Sequence, residues 1–452
     1  MSKARIVATF IRARWGYRFR SRKALERYQL RQLRRQLRFL AKRSPLFQDV
    51  LVDAFGSSPD RLENLEDLAR LPLMDKQSMM ANFDRLNTVG AQLADVEAAA
   101  LGGADGALPS SRLPQGIVAG LSSGTSGHRG VFVTSPQERD HWAGTVLAMT
   151  LPHGRLWGHR IALFLRAGNE LYDTVRSRAI DFRFYDTHGD LVSHARDLAE
   201  YNPTILVAPP SVLDVLAEQC MATEHSSGIA LASNPGLSST PMLHPQRVYS
   251  VAEVLTDADG TRLAQAFSQE HLHQLYQCTE GLLAHTCERG TLHLNEQIAI
   301  FEREWLDDRR FVPIVTDFRR RTQPIVRYRL NDILQVRSSP CDCGSVLTAL
   351  ERIEGREDDT LIVDGTPVFA DVVARAIVRA DGFTNYRVRQ FADGSLEVAL
   401  DDLAARDEVA RALAELWARL GLESPVTDFI GYVHNPTQKL RRVQRVAERK
   451  PR

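Results

Sequence analysis

Three sets of residues in this chain have types and spacings that suit chemistry. The first is LSSGTSGHRG at 121–130, where Ser122, Ser123, Gly124, Thr125, Ser126 and Gly127 are six small residues in succession. Such a loop can turn backbone N–H groups and hydroxyls inward as an anion nest, and its glycines let a phosphate approach closely. It lacks the Gly-Lys-Ser/Thr ending of a P-loop. The second set is metallic. Cys287 and His293 lie six apart, and Cys341 and Cys343 follow about fifty residues later with a glycine behind them. Three thiols and one imidazole are the complement of a closed tetrahedral Cys₃His zinc site, which is structural because no position is left open. His285 is a rival ligand from the same segment, while Cys220 and Cys278 are expected to pack in the core. The third set is one residue. The chain has six lysines against 51 arginines, and Lys439 is the only one between Lys76 and Lys450. A flexible ammonium can supply positive charge where a transition state develops negative charge.

The elements that must hold these residues read as α/β. Strand-type runs alternate with helical ones from about 118 to 335, as in RIALFLRA (160–167), PTILVAPP (203–210) before SVLDVLAEQC (211–220), and RVYSVAEV (247–254) before a helix near 260–273. Such alternation favours a mostly parallel sheet with helices on both faces. Residues 101–118, rich in Gly, Ser and Pro, read as a long loop. Near 355 the texture changes to a small α+β unit: TLIVDG, a helix at 370–380, a hairpin about Asp393-Gly394, a helix at 405–420 and TDFIGYV.

With 452 residues, 44% hydrophobic and 25% charged, the chain has the make-up of an ordinary globular protein of two or three domains, not of a fibre, a disordered polymer or a disulfide scaffold. Five cysteines and no secretory or membrane-spanning apolar run point to a reducing cytoplasm. The net charge of +1 conceals a basic arm: residues 1–43 carry 15 Lys and Arg against the single acid Glu26. Two readings fit residues 5–20, with Ile6, Val7, Phe10 and Ile11 at helical spacing among arginines. One is peripheral contact of residues 1–22 with an anionic membrane or an acidic partner; the other, favoured, is a surface helix whose apolar stripe packs on the body. Nucleic acid is not expected, because the body is acidic and no reading motif follows the arm.

Taken in order, the loop at 122–127, YQCTEG (276–281), PIVRYRLND (324–332), IEGREDD (353–359) and NPTQKLRR (435–442) resemble the motifs of the adenylate-forming superfamily of acyl- and aryl-CoA ligases. The phenylacetate-CoA ligase branch and its deazaflavin-cofactor adenylating relatives are most similar, and the resemblance runs from about residue 35 to 445. It implies a large domain at 44–356 of mostly parallel sheets with flanking helices, which binds ATP and the acid. A small mobile α+β domain at 357–452 follows, and the basic arm occupies 1–43. The reaction implied is attack of a carboxylate, aromatic or hydrophobic by default, on the α-phosphorus of ATP to give an acyl-adenylate. Transfer to the thiol of coenzyme A follows.

The resemblance also assigns roles. Ser122 through Gly127 would hold the β- and γ-phosphates with Arg129 as a cation. Tyr276 would stack on adenine, Thr279 would bond the α-phosphate and Glu280 would hold Mg²⁺. Asp332 would accept from the ribose hydroxyls, Arg356 would add a ribose or phosphate contact, Asp358 would mark the hinge and Lys439 would be the catalytic ammonium. Several members of that branch carry a zinc site like the Cys287, His293, Cys341 and Cys343 set. Ser250, Val251, Ala252, Trp142 and Tyr172 are candidates for the acid pocket by position only. Departures at Arg129, Gln277, Leu330 and Gln438 keep open a degenerate binding protein. The phosphopantetheine of an acyl carrier protein or a cofactor hydroxyl stay open as acceptors, and so does a homodimer.

Overall fold

A computed structural model describes residues 2–56, 58–105, 113–121, 130–165, 180–187, 191–226, 243–433 and 441–446. The anion loop Ser122–Gly127, Arg129, Tyr172 and Lys439 therefore lie outside the described residues.

Runs of β-branched and aromatic residues form five parallel strands. In spatial order they are Ile180–Asp186, His159–Leu165, Ile205–Ala208, Arg247–Val251 and His273–Cys278. Helices Leu191–Tyr201, Pro210–Ser226 and Asp257–Ala266 lie in the connections between them. After Cys278 the chain reverses direction, and Gly281–Thr286 returns antiparallel beside it. Leu292–Leu294, Ala349–Arg356, Asp332–Val336, Arg310–Asp317 and Ala299–Trp305 then extend one 12-stranded sheet with antiparallel pairings. The sheet is thus mixed, where the alternation pattern predicts a mostly parallel one. The cause is connection length: two residues separate 278 from 281 and five separate 286 from 292, far short of the dozen or so that a parallel crossover needs.

Two helix boundaries also differ from expectation. The helix expected near 260–273 is Asp257–Ala266, capped by the Thr256 side chain and stopped before Ser268, whose φ of 52° is left-handed. Helix Leu93–Asp105 runs into the stretch expected to be loop from 101. Its alanines favour the helix enough to carry it through Gly102 and Gly103.

The basic N-terminal segment is built into the body. In helix Arg22–Arg43, Leu33, Leu37 and Leu40 share a core with Tyr276, Leu294, Phe311 and Leu334 from the antiparallel half of the sheet. Helix Lys3–Ile11 packs on Pro136–Thr150 so closely that a Cβ at Gly144 would lie 2.5 Å from the Ile6 carbonyl oxygen. Asp140 accepts from the Ser2 amide at 3.1 Å and from Arg5 at 2.9 Å, and Arg14 donates to the Ala148 and Pro152 carbonyls. Ile6 and Phe10 face inward, whereas Val7, Ile11 and Trp15 are exposed. No described helix is long and apolar enough to cross a membrane.

The C-terminal region is α+β. A four-stranded sheet in the order Thr427–Gly431, Leu396–Leu400, Tyr386–Gln390, Val443–Arg445 is covered by helices Ala370–Ile377 and Arg406–Leu420. Val373, Ile377, Val398, Leu413 and Trp417 form its core. The Asp393-Gly394 hairpin stands where the sequence places it, with Gly394 at φ 83°.

Candidate functional site

The site grows from the reversal of chain direction at the middle of the sheet. Cys278 pairs with Gly281, so Thr279 and Glu280 form the two-residue tip of a hairpin, not the start of a helix. Burial, and then the charge of Glu280, push the Tyr328 phenol above its ordinary range. Arg320 donates to the Thr279 carbonyl at 2.9 Å. Cys278 is half-buried against the core, its thiol directed at the Gly281 carbonyl.

Two residues before Cys278 on the same strand, the Tyr276 hydroxyl donates to Asp332 Oδ2 at 2.5 Å. Burial, followed by the Asp332 charge, holds that phenol far above its usual range, so Tyr276 is a fixed donor. Asp332 and Arg356 are register partners on adjacent strands, and Arg356 Nε stands 3.6 Å from Asp332 Oδ1. Asp358 follows two residues later, accepting from Asn331 Nδ2 at 2.9 Å and standing 3.6 Å from Arg441. Beside it Arg329 bridges Glu304 and Glu357, at 2.7 Å to each. Tyr276, Thr279, Glu280, Asp332 and Arg356, read from three separate segments, are therefore brought together near one hairpin, with Asp358 two residues beyond Arg356.

Strands Val118–Leu121 and Val131–Thr134, which precede and follow the small-residue run, pair antiparallel with Leu121 opposite Val131. Among the acid-pocket candidates, Trp142, Val251 and Ala252 share one apolar cluster with Leu282. Ser250 is buried in the same strand. Ala252 has a φ of 68°, a left-handed conformation that is uncommon for alanine and tends to occur where a backbone is shaped for function.

Lys76 belongs to this neighbourhood, and sequence reasoning gave it no role. It begins helix Lys76–Ala81 behind the capping residue Asp75. Its ammonium is held below the usual range by burial, with Glu280 acting to raise it and Arg356 to lower it. The signal was present in the rarity of lysine, since Lys76 and Lys439 are the only two between 42 and 450.

The metal-type set converges as well. Donor atoms of Cys287, His293, Cys341 and Cys343 all lie within 4.8 Å of one another. Cys287 Sγ is 3.7 Å from Cys341 Sγ, and Cys343 Sγ is 3.4 Å from His293 Nε2. A tetrahedron with Zn–S near 2.3 Å and Zn–N near 2.0 Å has S–S and S–N edges of about 3.8 and 3.5 Å, so these two spacings fit, and the sulfur–sulfur distance is far too long for a disulfide. His293 Nδ1 faces the Leu347 carbonyl at 3.2 Å and would donate to it, which leaves the Nε2 lone pair for a metal. Gly290 and Gly344, at φ 77° and 71°, close the tight turns behind Cys287 and Cys341. Backbone amides of Arg289 and Cys343 point at the Cys287 and Cys341 sulfurs. His285 is not in the group: it hydrogen-bonds Asn295 at 2.7 Å, and burial lowers its pKa to about 4.

No family model and no curated protein sequence matches the chain. Solved structures do. The chain is similar to a 2-hydroxyisobutyryl-CoA ligase in its postadenylation state with 2-HIB-AMP, at TM-score 0.70 and 15% identity, over 95% of this chain and 90% of that one. The chain has the adenylate-forming fold. Against the same ligase with 2-HIB-AMP and CoA in its thioesterification state the TM-score is 0.55, at 17% identity and over 94% and 90% of the two chains. The acyl acid amido synthetase GH3.15 matches at 0.53 and 12% identity, over 88% and 83%. The large mixed-sheet domain and the smaller α+β region of this adenylate-forming fold are the two units traced above.

Proposed function

We propose that this protein activates a carboxylic acid with ATP as an acyl-adenylate and passes the acyl group to the thiol of coenzyme A. The observation that carries the reading is the convergence of Glu280, Asp332 and Arg356 about the buried Tyr276 donor, in a chain with the adenylate-forming fold. Asp332, fixed by Tyr276, has carboxylate lone pairs to accept from both ribose hydroxyls. Thr279 and Arg356 serve the α-phosphate and ribose, and the adenine lies against Tyr276. Glu280 offers the carboxylate for Mg²⁺, which when bound neutralises phosphate charge. Ser122 through Gly127 cradle the β- and γ-phosphates, where Arg129 and Lys76 supply cations.

Lys439 acts on the attacking carboxylate and the α-phosphate as charge develops there. With Asp358 at the hinge, residues 357–452 move as a unit, advancing Lys439 for adenylation and withdrawing it for thiol transfer. The acid is aromatic or hydrophobic, seated against Trp142, Val251 and Ala252.

Coenzyme A is favoured over the phosphopantetheine of an acyl carrier protein for a specific reason. Part of the arm's positive charge is used within the body: Arg5 pairs with Asp140, Arg22 with Glu296, and Arg14 donates to two carbonyls. The test is pyrophosphate release from ATP across a panel of carboxylic acids. At least one acid should support release, and Lys439→Ala should slow it by about 10²–10³-fold. Absence of release with every acid and Lys439 intact sinks the proposal and favours a binding protein.

A further inference from the structure

One cluster of buried charge lies outside the nucleotide site and joins the large domain to the small one. Asp214 is on helix Pro210–Ser226 and Asp259 on helix Asp257–Ala266, both in the large domain. Arg442 immediately precedes strand Val443–Arg445 of the small domain, and its Nη2 lies 3.5 Å from an oxygen of each acid. The three side chains are 9%, 3% and 10% exposed for Arg442, Asp214 and Asp259. Arg262 provides the second cation, pairing with Asp214 and standing 3.3 Å from Asp259. Two acids thus meet two arginines, one from each side of the junction.

Arg442 is anchored at its base. Its guanidinium sits 4.9 Å over the Tyr386 ring in the small-domain core, and its carbonyl accepts from the Val388 amide at 2.6 Å. The neighbouring Arg441 pairs with Asp359 and stands 3.6 Å from Asp358, at the start of the small domain. Two consecutive arginines just after the Lys439 segment are therefore fastened, one to the hinge and one to the large domain.

Rotation of the small domain would take Arg442 away and leave Asp214 and Asp259 sharing Arg262. Burial already holds Asp214 above the usual carboxylate range. Stranding one member of a buried pair is strongly unfavourable, so this contact discriminates between domain arrangements, as any conformational selector must.

On the two-step reaction proposed above, we infer that Arg442 is a positioning residue. Its ion pairs with Asp214 and Asp259 latch the small domain to the large one for adenylation and open before thiol transfer.

The test separates the half-reactions. Arg442→Met should lower acid-dependent pyrophosphate release about 10-fold or more, 10-fold being about 1.4 kcal/mol. Thioester formation from supplied acyl-adenylate should be unchanged or faster in the same protein. Arg442→Lys should restore most of the first step, and Asp259→Asn should show the same split without adding to Arg442→Met. A parallel loss in both half-reactions means a general structural role and overturns the latch. Small-angle X-ray scattering of the full chain needs no chemistry: Arg442→Met should shift the domain arrangement, and superimposable profiles overturn the latch even in an active ligase. A shift in a wild-type-inactive protein would keep the latch as a domain clamp and remove the ligase reading alone.

Discussion

If zinc occupies the Cys287–His293–Cys341–Cys343 cluster, removing it should destabilise the large domain by an amount that can be worked out beforehand. Two of the six donor–donor distances, 3.7 and 3.4 Å, already match a tetrahedral zinc site and all six lie within 4.8 Å, so only a small contraction opposes binding. A metal present at a hundredfold excess over its Kd stabilises the native state by about 2.7 kcal/mol. For a large domain each kcal/mol shifts Tm by roughly 2–4 °C, so chelation should lower Tm by about 5–11 °C. Cys341→Ser should reproduce most of that loss and be insensitive to further chelator. The strand Ala349–Arg356 links the site to Asp332, the proposed ribose acceptor, since it pairs with Leu292–Leu294 on one side and with Asp332–Val336 on the other. Chelation should therefore also weaken ATP binding. The assay is elemental analysis of protein purified under reducing conditions, with thermal melts before and after chelator. Well under one zinc per chain, or a melt unmoved by chelation, would refute the reasoning.

Tyr276→Phe removes the donor to Asp332 while keeping the ring; a hydrogen bond to a charged group contributes about 1.5–3 kcal/mol, so the KM for ATP should rise about 10-fold or more with kcat less affected. An unchanged KM would remove this pair from nucleotide binding. His141 is held neutral, its pKa lowered to about 4 by burial and then by Arg319 and Arg5, and its Nδ1 faces Thr9 at 2.8 Å and Arg319 at 3.2 Å. Below the unfolded value of about 6.5 the unfolded chain binds the extra proton first, so stability is full above that pH and declines toward pH 4. His141→Gln should flatten this part of the Tm–pH curve, and identical slopes for the two proteins would contradict the assignment.

What could be read from the sequence was what local pattern encodes. The strands around 160, 205 and 247, the Asp393-Gly394 hairpin and the helix at 406–420 carry their own periodicity and turn residues. The metal-type set was legible because cysteine is scarce and its two clusters are short. Sheet direction was not, because strand composition is alike in parallel and antiparallel pairs; only the shortness of the connections at 279–280 and 287–291 distinguishes them. Lys76 beside Glu280 and Arg442 beside Asp214 are juxtapositions of residues some two hundred positions apart, set by the fold and invisible to any window along the chain. The N-terminal segment shows the same limit: its arginines advertise a charged arm, yet their partners Asp140 and Glu296 come from distant helices and loops.

That first helix is apolar on two sides at once. Ile6 and Phe10 are pressed onto the body, while Val7, Ile11 and Trp15 face outward among cations. Peeled away, the segment would be a cationic surfactant tethered to its own protein, greasy in every direction and ready to wet any anionic film or clump with its copies. The missing side chain at Gly144 lets the backbone of that segment settle flush, so a methyl group there would begin to lift that greasy face off its seat.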